Sequence, residues 1–185
     1  PHPEYSDKTV LEVANLRKET AAQTLMYLIA AAAEFDVKNP NYKGNTEGIM
    51  GKSMAESDLE SFLAWPHTNI CSDGSWGGHP RGYGAFTRVL GRYVRERKIM
   101  SLESAVFKMT GLAAEHLGIG DRGVIAPGYS ADLVLFDPAT VQDNATVQNP
   151  DAISTGIEKV WVNGKLVFEN RKTTGELPGV FIKRK

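Results

Sequence analysis

The chain has a single cysteine, Cys71, among 185 residues. That excludes an internal disulfide framework and suits a reducing compartment, so a cytoplasmic location is expected. Histidine is also sparse, with four residues and no His-x-His pair. Neither charge sign is in excess: 21 Lys and Arg stand against 22 Asp and Glu, a formal net charge of −1. No basic face for general nucleic-acid binding is therefore expected. The basic end, Phe181 to Lys185, reads as a solvated terminus. No apolar run approaches the ~20 residues of a membrane span, and no stretch has the form of a signal peptide. Internal repeats and low-complexity segments are absent. The chain opens at Pro1 rather than Met, from which a fragment or a trimmed product is expected.

What is present is ordinary for a globular protein, 42% hydrophobic and 23% charged. At this length roughly 70% of the unfolded surface can be buried. The first third reads as helix. Thr9 to Glu12 (TVLE) and Thr20 to Gln23 (TAAQ) are capping boxes. Leu25, Leu28, Ile29 and Ala32 then form one apolar stripe. Asn39-Pro40 and Gly44-Asn45 mark a loop, and Gly48-Ile49-Met50 a short buried strand. Ser53 to Glu56 (SMAE) predicts a third cap, opening a helix that stops before Pro66. His67 to Ser72 reads as a short strand. Helices are predicted over Phe86 to Arg97, from Ser101 through Met109, and over Leu112 to Leu117 with Gly118 as the stop. After Gly123 the character changes. Asp132 to Asp137 (DLVLFD) is a β-rich run, and KVWVNGKLVFE is a hairpin turning at Asn163-Gly164. Helices with buried strands followed by strands alone give an α/β body with a β appendage.

The chemistry-bearing stretch is ICSDGSWGGHPRGYGAF, Ile70 to Phe86. An acid just past the C-terminal end of a parallel barrel strand projects onto the site-bearing face. There Asp73 can ligate a metal or accept a proton from water; by spacing alone, Asp73-Gly74 is more often only a turn. Gly74, Gly77, Gly78, Gly82 and Gly84 let the backbone approach a ligand closely. No Gly-Lys-Ser/Thr follows them, so a phosphate loop is discounted. Arg81 offers a planar fork for a carboxylate or phosphate, and also suits a surface ion pair. His79, before Pro80, is a candidate substrate contact or a surface residue. His67 and His116 read as structural, and Cys71 as a buried core thiol without a basic activator.

These motifs carry a resemblance. SDG with HPRGYGAFTRVLGRYVRE, RGVIAPGYSADLVLFDP with KVWVNGKLVFEN, and TVLEVANLRKETAAQTLMYLI together resemble the C-terminal part of the N-acyl-D-amino-acid deacylases (D-aminoacylases), within the metal-dependent amidohydrolase superfamily. The resemblance implies a (β/α)8 barrel plus a small β-sandwich. This chain would supply the last third: residues 1–122 the C-terminal part of the barrel, and residues 123–185 sandwich strands and tail. It further implies a zinc-dependent hydrolase cleaving N-acyl-D-amino acids to a carboxylate and a D-amino acid. Asp73 matches the acid that handles the attacking water at the metal and is a possible metal ligand. Arg81 matches the arginine that grips the substrate α-carboxylate.

The family's other metal ligands find no match here, and a catalytic zinc takes about three protein ligands. The chain alone is therefore expected to be inactive, and to associate with a missing N-terminal part or with further copies of itself. A non-catalytic interaction subunit is one alternative. A dihydroorotase-like or hydantoinase-like amidohydrolase is another.

Overall fold

A computed structural model describes residues 2–44, 54–74 and 79–183. Two compact units divide at residues 53/54. In the first, helix α1 (Val10–Arg17) leads into α2 (Ala21–Lys38). Both predicted capping boxes form. The Thr9 N–H donates to the Glu12 carboxylate at 2.7 Å, and the Glu12 N–H to the Thr9 hydroxyl at 3.2 Å. Thr20 and Gln23 repeat the arrangement at 3.0 and 3.3 Å. Each box satisfies amide donors that a helix start leaves free. Val13 and Ala14 of α1 and Thr24 and Ala32 of α2 are buried. Of the predicted stripe on α2, Leu25 and Leu28 are half-buried and Ile29 is exposed.

The second unit begins with α3 (Glu56–Ala64), which ends before Pro66 as predicted. Ser53 of the predicted third cap, like Gly48-Ile49-Met50, lies outside the described residues. The start of α3 is instead served by Asp58, whose carboxylate accepts the Ala55 N–H at 3.1 Å. Glu56 turns to Arg92, at 3.0 Å. Helix α4 (Arg81–Arg88) continues as wider π-type turns over Val89–Glu96, where the Arg97 N–H reaches back five residues to the Arg92 carbonyl. Then come α5 (Leu102–Met109), capped by the Ser101 hydroxyl, and α6 (Gly111–Leu117), ended by Gly118 in the left-handed region.

An antiparallel sheet follows, in the order β1 (Leu133–Phe136), β2 (Ile157–Val162), β3 (Lys165–Glu169), β4 (Lys172–Thr173). The predicted hairpin turns at Asn163-Gly164, with φ of 48° and 76°. Two positive φ values make the turn whose twist matches paired strands. Asn163 is held on all sides. Its N–H donates to Asp132, its side-chain oxygen accepts from Arg122, and its side-chain N–H donates to the Pro178 carbonyl. The predicted change of character after Gly123 is real, yet helices and sheet share one core. Leu63, Val89, Leu90, Tyr93, Ala105 and Val141 are buried together, with Phe136 and Ile157 of the sheet packed against them.

The predicted strand over His67 to Ser72 does not form. His67 lies in a turn that the Thr68 N–H closes on the Trp65 carbonyl at 3.3 Å; beyond it Ile70 donates at 3.4 Å to the Lys108 carbonyl, and no ladder forms. A parallel strand exists only through its neighbours, and no described residue pairs with this one. Cys71 is exposed rather than buried for the same reason.

Candidate active site

Position along the chain is set before side-chain chemistry. Ile70 packs against the core, and its N–H is held by α5. The buried Lys108 on α5 donates from Nζ to the carbonyls of Leu63 and Trp65, both at 2.5 Å. These carbonyls end α3, where a cation meets the negative end of the helix dipole. Lys108 is almost wholly buried, and that burial lowers its pKa. One lysine thus ties the end of α3 and the approach to Asp73 to a single helix. Sequence reasoning missed it, because lysine on a helix reads as solvated. The available signal was its spacing, three residues after Ala105 and four before Leu112, both buried.

Three residues from here, the backbone at Asp73 enters the left-handed region at φ 45°. Gly74 follows, its N–H bonded to the Ser72 hydroxyl at 3.2 Å. Across the loop lies Gly82; a Cβ on Gly74 would stand 3.3 Å from the Gly82 Cα. The glycines therefore let two backbone segments meet. Gly82 and Gly84 are not loop residues. Helix α4 starts at Arg81, five residues earlier than predicted, with Pro80 supplying a φ of −55° at its entrance.

This approach brings the predicted residues together. Arg81 Nε donates to the Asp73 carbonyl at 2.8 Å, and Arg81 Nη2 stands 2.9 Å from Asp73 Oδ2. The Arg81 N–H donates to His79 Nδ1 at 3.1 Å. That bond requires the proton of a neutral His79 to sit on Nε2, and it fixes the first turn of α4. The Asp73 side chain is 74% exposed and that of Arg81 44%, so both remain open to a ligand. His67 stacks edge-on with Trp65 at 5.6 Å, and His116 is exposed on α6.

A carboxylate joined to a guanidinium in this way can accept a proton, and the guanidinium can hold an anion. A zinc site needs more. No group of three His, Cys, Asp or Glu converges among the described residues, so Asp73 is a single potential ligand and this set does not fit a metal by itself. A cleft of about 1140 Å³ opens elsewhere in the second unit, between Phe86, Leu90 and Met109 of the helices and Leu133, Val134 and Val160 of the sheet. It exceeds the usual small-molecule pocket, and Asp73, His79 and Arg81 do not line it.

Comparison with known proteins places the same stretch in context. The pattern of the amidohydrolase family matches residues 66–168. An N-acyl-D-glutamate deacylase of Alcaligenes xylosoxydans xylosoxydans is 51% identical over all of this chain and 35% of its own length. A D-aminoacylase of the same organism is 38% identical over the same shares. The crystal structure of an N-acyl-D-glutamate deacylase from Bordetella bronchiseptica holds zinc and a phosphonate mimic of the tetrahedral intermediate. It superposes with a TM-score of 0.72 at 36% identity, over 93% of this chain and 34% of that one. The chain thus spans about a third of the length of the relatives it matches.

Proposed function

We propose, for a chain that belongs to the amidohydrolase family, that it is the C-terminal part of a metal-dependent hydrolase of N-acyl-D-amino acids. The observation that carries this reading is the junction of Asp73 and Arg81 by two hydrogen-bonding contacts of one guanidinium. Residues 1–122 would complete a (β/α)8 barrel, and residues 123–185 the strands of its small sandwich. Both rest on the likeness to the deacylases.

In the completed enzyme, Asp73 accepts a proton from the attacking water and returns it to the leaving amine. Arg81 holds the α-carboxylate and so aligns the scissile amide. His79, bonded to the Arg81 N–H, would be a further contact to the substrate. Zinc, present in the Bordetella relative, would polarise the acyl carbonyl; its other ligands would come from residues outside this set. Association with that remaining part, or with further copies of the chain, follows from the same reading.

The test is release of free amine from N-acetyl-D-amino acids by the polypeptide of the relatives' length. The D-enantiomers are expected to turn over and the L-enantiomers not. Arg81→Lys keeps the charge and loses the fork, so transition-state binding should weaken by about 2–4 kcal/mol. That loss should vanish for substrates whose α-carboxylate is replaced by an amide. An equal loss for acid and amide would remove Arg81 from the carboxylate grip. Absence of turnover with any N-acyl-D-amino acid would overturn the functional reading.

A further inference from the structure

Arg81 is not free in this structure. Nε and Nη2, the edge that would form a two-pronged contact with a carboxylate, are both occupied by Asp73: Nε by its carbonyl at 2.8 Å, Nη2 by its carboxylate at 2.9 Å. The group proposed to receive the substrate's carboxylate is thus bound to the group proposed to receive the water proton. We propose that this pair is a substrate-operated latch, in which the α-carboxylate displaces the Asp73 carboxylate from Arg81 and frees Asp73 to act at the scissile amide. The proposal rests on the functional reading above and adds an order of events to it.

Several features fit an exchange rather than a fixed strut. The pair is solvent-exposed, 74% at Asp73 and 44% at Arg81, and exposed ion pairs contribute little net free energy. One carboxylate replacing another keeps the charge balance of the guanidinium. The two ends are anchored differently. Arg81 is fixed by the start of α4 and by His79, whereas Asp73 sits at the end of an unpaired segment, at a positive φ that aspartate tolerates. Recognition of the carboxylate would then be expressed in kcat as well as in KM, since a substrate without it leaves Asp73 bound. In the chemical step itself, Asp73 takes the proton of water and gives it to the amine nitrogen, so the latch consumes nothing.

The test compares N-acetyl-D-methionine with N-acetyl-3-(methylthio)propylamine, which lacks only the carboxylate, using the metal-loaded polypeptide of the relatives' length. At saturation the second substrate should show kcat lower by about threefold to sixfold, the most that an exposed pair of about 1 kcal/mol can hold back. Sodium formate at constant ionic strength should restore much of that loss by occupying Arg81, while chloride should not. In Arg81→Gln, formate should have no effect. A change confined to KM, or formate acting no differently from chloride on the unaltered protein, overturns the latch while leaving hydrolysis of N-acetyl-D-methionine standing. If neither N-acetyl-D-methionine nor any other N-acyl-D-amino acid is hydrolysed, the functional reading fails, and the latch with it.

Discussion

Lys108 shows how much one side chain can position. It is 2% exposed, bears no carboxylate partner among its described contacts, and holds two carbonyls that close α3. Lys108→Met keeps the aliphatic stem and removes the donors. The buried carbonyls then go unpaired, and stability should fall by about 1–3 kcal/mol in urea titrations. The pH dependence has a definite sign. Burial lowers the folded pKa below the ordinary 10.5, so between the two values the unfolded chain holds a proton the folded chain lacks. Stability contributed by this group therefore rises with pH through that window. The difference between unaltered protein and Lys108→Met should widen as pH climbs toward 10.5, and a difference flat with pH would show the lysine to be solvated. The sequence singled out Asp73 and Arg81 because their motif is local, and the structure brings the two into contact. It concealed Lys108 because burial of a charge depends on what folds over it. It misled about Cys71, whose alternation with Asp73 implied a strand that no described residue pairs.

At the scale of elements, local chemistry was legible wherever the determinant lies within a few residues. Both threonine boxes, the Pro66 stop, the Ser101 cap, the Gly118 stop and the Asn163-Gly164 turn all form. The start of α4 was not legible. Gly82 and Gly84 weaken a helix by propensity, but Gly84 answers a tertiary approach that no local pattern records, since a Cβ there would stand 3.1 Å from the Asp143 Cβ. The π-type continuation is similarly non-local, since Arg95 within it donates to the Val141 carbonyl at 2.6 Å and to Gln142 at 2.7 Å. Gly156 gives a sharp test of such packing. Its φ is +77°, and a Cβ there would stand 2.4 Å from backbone atoms of Val141. Gly156→Ala should lower stability by at least about 2 kcal/mol, separating β2 from the loop after β1. An unchanged melting temperature would contradict that packing.

For the whole molecule, the α/β class and the strand-rich end were readable from the order of periodicities. The two-unit division at 53/54 was not, because it depends on contacts rather than on composition. The chain spans about a third of its relatives, and its described residues bring no three metal-binding side chains together. Alone, it should hold zinc weakly and show no deacylase turnover. Equilibrium dialysis and an amine-release assay check both, and stoichiometric zinc at low micromolar free metal would contradict the reading of an incomplete site.

The central claim is that Asp73 does proton-transfer chemistry rather than merely making the turn it sits in. Asp73→Asn in the polypeptide of the relatives' length measures this most directly, with kcat and melting temperature taken on one preparation. Asparagine matches aspartate in size and in tolerance of positive φ, and the side chain is exposed, so the melting temperature should hardly move. A neutral amide cannot accept the water proton, and kcat should fall by about 10²–10⁴. Near-normal kcat in that folded, metal-loaded variant would contradict the account and leave Asp73 as a turn residue.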